Sequence, residues 1–176
     1  MRKLKNEELG RKSVEEFRSG KKLPITVVLD DVRSMHNIGS VFRTSDAFSV
    51  EKVFLCGITA QPPHREITKS ALGATESVYW KYYVTISDAI VALKSDGYKI
   101  LCIEQVEGSI DLVDFIPEVE TKYAVVFGNE VNGVSQSAVD ACDYCLEIPQ
   151  FGTKHSFNIS VTVGIVLYDL SKKIKL

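Results

Sequence analysis

Short apolar runs and polar, glycine-marked stretches alternate along the whole chain. Ile25–Leu29 is a continuous, mostly β-branched run, the mark of a strand buried on both faces. Runs of the same kind recur at Lys52–Cys56, Lys99–Glu104, Tyr123–Phe127 and Tyr144–Ile148, and Ser77–Val84 is aromatic and β-prone. Between them the spacing predicts helices. One covers Asn6–Ser19, with Leu9, Val14 and Phe17 inward and Gly20 ending it. A second covers Ile38–Phe48, with Asn37 as its N-cap and Val41, Phe42 and Ala47 inward. Ser87–Ser95 is a third, closed by Gly97, and Ser135 caps a short one to about Cys142. The last runs from about Asn158 to Ser171, capped by Ser156 or Asn158. Its apolar residues, Val161, Ile165, Val166, Leu167 and Leu170, cover much of its girth, so it is buried or lies between two partners. Residues 57–68, with Pro62-Pro63-His64-Arg65, predict a long loop.

Short strands alternating with helices make an α/β domain whose parallel sheet is covered on both faces. Ligands in such sheets sit beyond the carboxyl ends of the strands. The loops 30–37, 104–111, 128–134 and 149–158 are therefore where chemistry is expected. With 176 residues, 45% hydrophobic and 25% charged, the chain has the make-up of one ordinary globular domain. No run approaches the roughly 18 apolar residues of a membrane span. The charged N-terminus has no apolar core of a secretory signal, so the expected location is the cytoplasm, with no membrane partner.

Charge refines this picture. Residues 1–22 hold eight Lys/Arg and four Glu, a net of +4, which leaves −6 for the rest of a chain whose total is −2. On charge alone this is a solvated surface helix; a basic arm on an acidic body can also touch phosphates. Cys56 and Cys102 lie in strand runs and read as small hydrophobes. Cys142-x-x-Cys145 is a single pair with no second pair or spaced histidines, so it reads as structural thiols and no metal is expected. No G-x-G-x-x-G occurs. Gly128 and Gly133 have the glycine spacing of a phosphate-binding loop, but Val134 stands where the lysine belongs, which argues against nucleotide triphosphate binding. These glycines point instead to backbone lying close to a ligand.

Three segments stand out: Asn37-Ile-Gly-Ser-Val-Phe-Arg43, Phe127-Gly-Asn-Glu-Val-Asn-Gly-Val134, and Ile148-Pro-Gln-Phe-Gly-Thr-Lys-His-Ser-Phe-Asn-Ile-Ser-Val161. In this order, each after an expected strand, they resemble the three signature motifs of the SpoU/TrmH family of RNA ribose 2′-O-methyltransferases, of the SPOUT class. The resemblance covers about residues 25–170. It implies a parallel-sheet, Rossmann-like domain with a C-terminal trefoil knot over 25–176, preceded by a basic arm over 1–24. It implies a homodimer, S-adenosylmethionine as cofactor, and RNA as substrate, with tRNA favoured over rRNA. Cofactor contacts carry over to Ile103, Glu104, Gly128, Ile148, Ser156 and Phe157. Catalytic roles carry over to Arg43, Asn37, Glu130, Ser156 and Asn158, with Arg43 at the reacting hydroxyl. A guanidinium stays protonated in proteins, so its role is read as clamping phosphate and stabilising the forming alkoxide. Gln150, Phe157 and Thr162 depart from the family's usual Met, Leu and Ala; none removes a reactive group. The roughly 24 residues before the first strand are too few for a separate RNA-binding domain, and the chain stops soon after Leu170. RNA would then meet the dimer surface, the 57–70 loop and the arm. A non-catalytic RNA-binding module on the same fold is the alternative.

Overall fold

The computed structural model of the chain describes residues 1–174. Among the described residues seven strands form one all-parallel sheet: β1 (Leu23–Asp30), β2 (Val50–Cys56), β3 (Tyr79–Tyr83), β4 (Tyr98–Ile103), β5 (Ile110–Asp111), β6 (Lys122–Phe127) and β7 (Tyr144–Glu147). Their order across the sheet is β3-β2-β1-β6-β4-β7-β5. The helices are α1 (Val14–Ser19), α2 (Met35–Ala47), α3 (Arg65–Ala71), α4 (Ala74–Ser77), α5 (Ile86–Ser95), α6 (Gln136–Ala141) and α7 (Ile159–Lys173).

The period of two along β1 divides the core. Ile25, Val27 and Leu29 join Ile38, Val41 and Phe42 of α2, Ile67 of α3 and Val163, Val166, Leu167 and Leu170 of α7. Val28 turns the other way, to Ala89, Ile90 and Leu93 of α5 and Ala138 of α6. Both faces are covered, which is why the strand runs are continuously apolar. The expected parallel α/β sheet is present.

Four details differ from the expectation. Asn37 is not the N-cap of α2. Ser34 is, its hydroxyl accepting from the Asn37 N–H at 3.3 Å. The Asn37 side chain is engaged elsewhere and cannot cap. The N-terminal helix is broken: a 3-10 turn (Asn6–Leu9) ends at Gly10, whose φ is 55°, and α1 restarts at Ser13. Helix α3 begins inside the expected 57–68 loop. His64 caps it, ring Nδ1 accepting from the Glu66 N–H at 3.2 Å, and only Ile67 and Ala71 are buried, too short a pattern to show a period. The two-residue β5 gave no pattern at all. The choice left open at α7 resolves to Asn158, whose Oδ1 accepts from the Ser160 N–H at 2.9 Å.

Helices α2 and α3 touch backbone to backbone at Gly39. A methyl group there would fall on the Ile67 carbonyl and the Ser70 hydroxyl. Gly39→Ala should lower stability by about 1–3 kcal/mol, as overpacking does. Urea unfolding of the two proteins checks this, with an unchanged m-value expected.

Candidate active site

The carboxyl ends of β4, β6 and β7 open onto one pocket. Its wall is made by residues 103–105 at the end of β4, 127–133 at the end of β6, Glu147, Ile148 and Gln150 at the end of β7, and 155–159 with Thr162 leading into α7. Ile103, Glu104, Gly128, Ile148, Ser156 and Phe157, the residues expected at a cofactor, all line it. So do Glu130 and Asn158.

The loop after β6 is tied at both ends. Asn129 and Gly133 exchange backbone hydrogen bonds, each 2.9 Å. The Asn129 carbonyl side-chain oxygen accepts from the Val131 and Asn132 N–H groups, and its amide donates to the Asp31 carbonyl at 2.7 Å. Glu104 holds the far end: Oε2 accepts from the Val134 N–H at 2.8 Å and Oε1 from the Gln105 N–H at 2.9 Å. A Cβ at Gly128 would strike the Gly133 carbonyl carbon and the Val134 nitrogen, so the loop closes only on glycine there. Beside it the buried Asp30 carboxylate accepts from the Ser135 N–H at 3.0 Å.

Glu130 joins this loop to the other two segments. Its carboxylate accepts from the Arg33 N–H, the Ser34 N–H and the Asn37 side-chain amide, each at 3.0 Å. The Asn37 oxygen accepts in turn from the Asn158 amide at 3.2 Å. Burial works to raise the Glu130 pKa; the Arg33 N–H, the Asn37 amide and further backbone donors outweigh it, and the net shift is downward.

The structure therefore brings together Asn37, Glu130 and Asn158 through hydrogen bonds, and places Ser156 and Phe157 on the same rim. It does not bring Arg43 there within one protomer. Arg43 lies six residues beyond Asn37, about 9 Å along the helix, and is exposed. It lines a different groove with Arg11, Lys12, Phe17, Asp46 and Leu72. Sequence reasoning gave no role to Ser34, Asp30 or Asn129. Asn129 and Ser34 had a visible signal, as a short polar side chain in a turn and one before a helix. Asp30 had none beyond its place at a strand end. Among the described residues no group of three or more His, Cys, Asp or Glu is arranged to hold a metal ion, and no helix is long and apolar enough to cross a membrane.

Residues 24–168 match the model of the SpoU rRNA Methylase family. The chain belongs to that family. A tRNA (guanosine(18)-2′-O)-methyltransferase of Borreliella burgdorferi is 31% identical over 151 residues, 86% of this SpoU-family chain and 67% of the relative. A crystal structure of a TrmH/SpoU tRNA modifying enzyme of A. aeolicus superposes with a TM-score of 0.80 at 23% identity, covering 91% of this chain and 80% of that one. An AdoMet-bound rRNA methyltransferase of Sinorhizobium meliloti gives the same TM-score and identity, covering 89% and 59%. At these identities the two structures speak for the fold. The chain spans 59–67% of the length of the curated relatives it matches.

The depressed Glu130 pKa sets a pH window. The carboxylate's contribution to the network is present above the usual 4.5 and is lost as pH falls through a lower folded value. The Asn37 side-chain amide signals, followed by NMR during acid titration, should hold steady through pH 4.5 and move only below it. Glu130→Gln should remove that titration.

Proposed function

We propose that the pocket binds S-adenosylmethionine and that the chain methylates a ribose 2′-hydroxyl of RNA, tRNA ahead of rRNA. The observation that carries this reading is the hydrogen-bonded union of Asn37, Glu130 and Asn158, one from each of the three family segments, at the rim of one pocket. The names of the relatives support the reaction class and favour tRNA.

The pocket fits the cofactor. Ile103, Ile148 and Phe157 offer apolar surface to a purine, and Gly128 leaves peptide groups uncovered. Glu104, Glu130 and Glu147 line the wall and favour a sulfonium cation over an anion. Residues 103–104, 128, 148, 156 and 157 would hold it. When bound, it supplies a methyl group that an oxygen nucleophile can take.

The chain's own residues orient the acceptor. Asn37, held by Glu130 and Asn158, fixes the start of α2 and so the direction in which Arg43 leaves that helix. Arg43 stays charged, clamps a phosphate beside the target ribose and stabilises the oxygen as its proton departs. Because Arg43 stands outside its own pocket, we assign it to the pocket of a second copy. The homodimer would pair through α7, where Val161, Ile165 and Tyr168 are 50%, 36% and 58% exposed and border an apolar groove with Leu112, Val113 and Pro149. The trefoil knot is read from the family fold; Gln150 and residues 155–158 share one pocket with the 128–133 loop, in keeping with it. Residues 1–24 are read as an RNA-facing arm and 25–176 as the catalytic domain, whose last two residues lie outside the described ones. The cytoplasm is the proposed location.

Arg43→Ala should bind S-adenosylmethionine normally by calorimetry and lose about 10²-fold or more in transfer to RNA. Mixing it with Asn158→Ala should restore part of the activity if the site spans two copies. Nucleoside mass spectrometry of cells with and without the gene should show one 2′-O-methyl nucleoside lost. Full transfer by Arg43→Ala refutes the assignment.

A further inference from the structure

Three thiols gather where α6 meets β4 and β7. Cys142 and Cys145 are both partly exposed, and their sulfurs are 3.3 Å apart. Cys102 lies buried behind them, its Cα paired across the sheet with that of Cys145, its thiol donating to the Ala138 carbonyl at 3.5 Å. Cys142 is the C-cap of α6 and Cys145 lies in β7. Between them, Asp143 is pinned to β4: its N–H donates to the Ile100 carbonyl at 2.9 Å and its carboxylate accepts from the Ile100 N–H at 2.7 Å.

Helix α6 makes this joint matter. It spans about 9 Å, from the pocket loop at one end to Cys142 at the other. Its loop end meets the sheet through two hydrogen bonds, Val134 N–H to Glu104 and Ser135 N–H to Asp30, and through the buried Val134 and Ala138 side chains. The sulfurs must close from 3.3 Å to a bond of about 2.05 Å. With Asp143 fixed to β4, that movement falls on the end of α6, and the helix carries it to the loop.

We propose that Cys142 and Cys145 form a reversible disulfide that shifts α6 and weakens the pocket for the methyl donor; the second half rests on the cofactor reading above. The oxidant class is a small-molecule disulfide such as glutathione disulfide. The Cys142 thiolate attacks one of its sulfurs and releases one glutathione thiolate. The Cys145 thiolate then attacks the Cys142 sulfur, forms the intramolecular bond and releases the second. Two protein thiols are oxidised, one disulfide is reduced to two thiols, and the protons pass to the departing glutathiones. Burial first, then Cys142 and the Glu104 charge, push the Cys145 thiol up to about 12. A thiol that ionises so reluctantly attacks slowly and is also a poor leaving group, so the bond forms and reopens slowly.

The test equilibrates the folded full chain in glutathione buffers, traps free thiols and cleaves after Tyr144, which puts the two cysteines on separate peptides. The expected product is a Cys142–Cys145 cross-link, retained in Cys102→Ser and reversed by dithiothreitol. Calorimetry should show S-adenosylmethionine affinity falling at least about fivefold on oxidation, with Cys142→Ser and Cys145→Ser unaffected by the same treatment. Separate glutathione adducts, or a cross-link to Cys102, overturn the site. A formed cross-link with unchanged affinity overturns the coupling. A reduced protein that binds no S-adenosylmethionine overturns the cofactor reading and the coupling with it, and the cross-link then stands or falls on the peptide map alone.

Discussion

One carboxylate, that of Glu130, holds together parts of the chain some 95 residues apart. Its oxygens accept from Arg33, Ser34 and Asn37, and through Asn37 the contact reaches Asn158. An ionised carboxylate only accepts, so donors converge on it and none competes from its own side. Two of those donors are backbone N–H groups just ahead of α2, which no helical carbonyl can satisfy. The group that ties the loop after β6 to its neighbours therefore also completes the entry to α2 and, one link on, reaches the cap residue of α7. Taking it away would cut the link among three segments at once.

The sheet makes that convergence geometrically cheap. With all strands parallel, every strand delivers its following loop to the same edge. β1, β6, β4 and β7 are adjacent in the sheet, so the loops after them are neighbours before any side chain acts. Asn129, Glu104 and Glu130 then each remove freedom from the 128–134 loop, toward β1, β4 and α2 respectively. A pocket walled by peptide groups gains most from such ties, because ordering the backbone at the moment of binding is the main cost it would otherwise meet.

What was legible follows from the range of each signal. β1 and β6 were readable because burial on both faces leaves an unbroken apolar run. β5 was not, since two residues carry no period and its pairing with β7 is wholly tertiary. Helix α3 hid in a stretch whose buried positions are only Ile67 and Ala71. At the site, the pocket residues were legible because they follow strands or glycines. Asn37 looked like a cap by type, and local chemistry alone cannot show that Glu130, 93 positions away, has claimed its amide. Arg43 shows the opposite limit: the motif names the residue, but it does not reveal that the side chain lines a groove apart from the pocket.

That limit bears on α7. Its first turn belongs to the pocket, since Asn158 caps it and also donates to Asn37. Its exposed apolar flank begins within that same turn, at Val161, and continues through Ile165 to Tyr168. Apolar side chains aligned on one face gain about 25 cal/mol for each Å² removed from water, so a second copy laid on this flank would be stabilised by the very helix whose cap shapes the pocket. Assembly and pocket geometry then share one rigid element. In the proposed reading, the apolar stripe on α7 and the arginine outside its own pocket are two marks of one assembly.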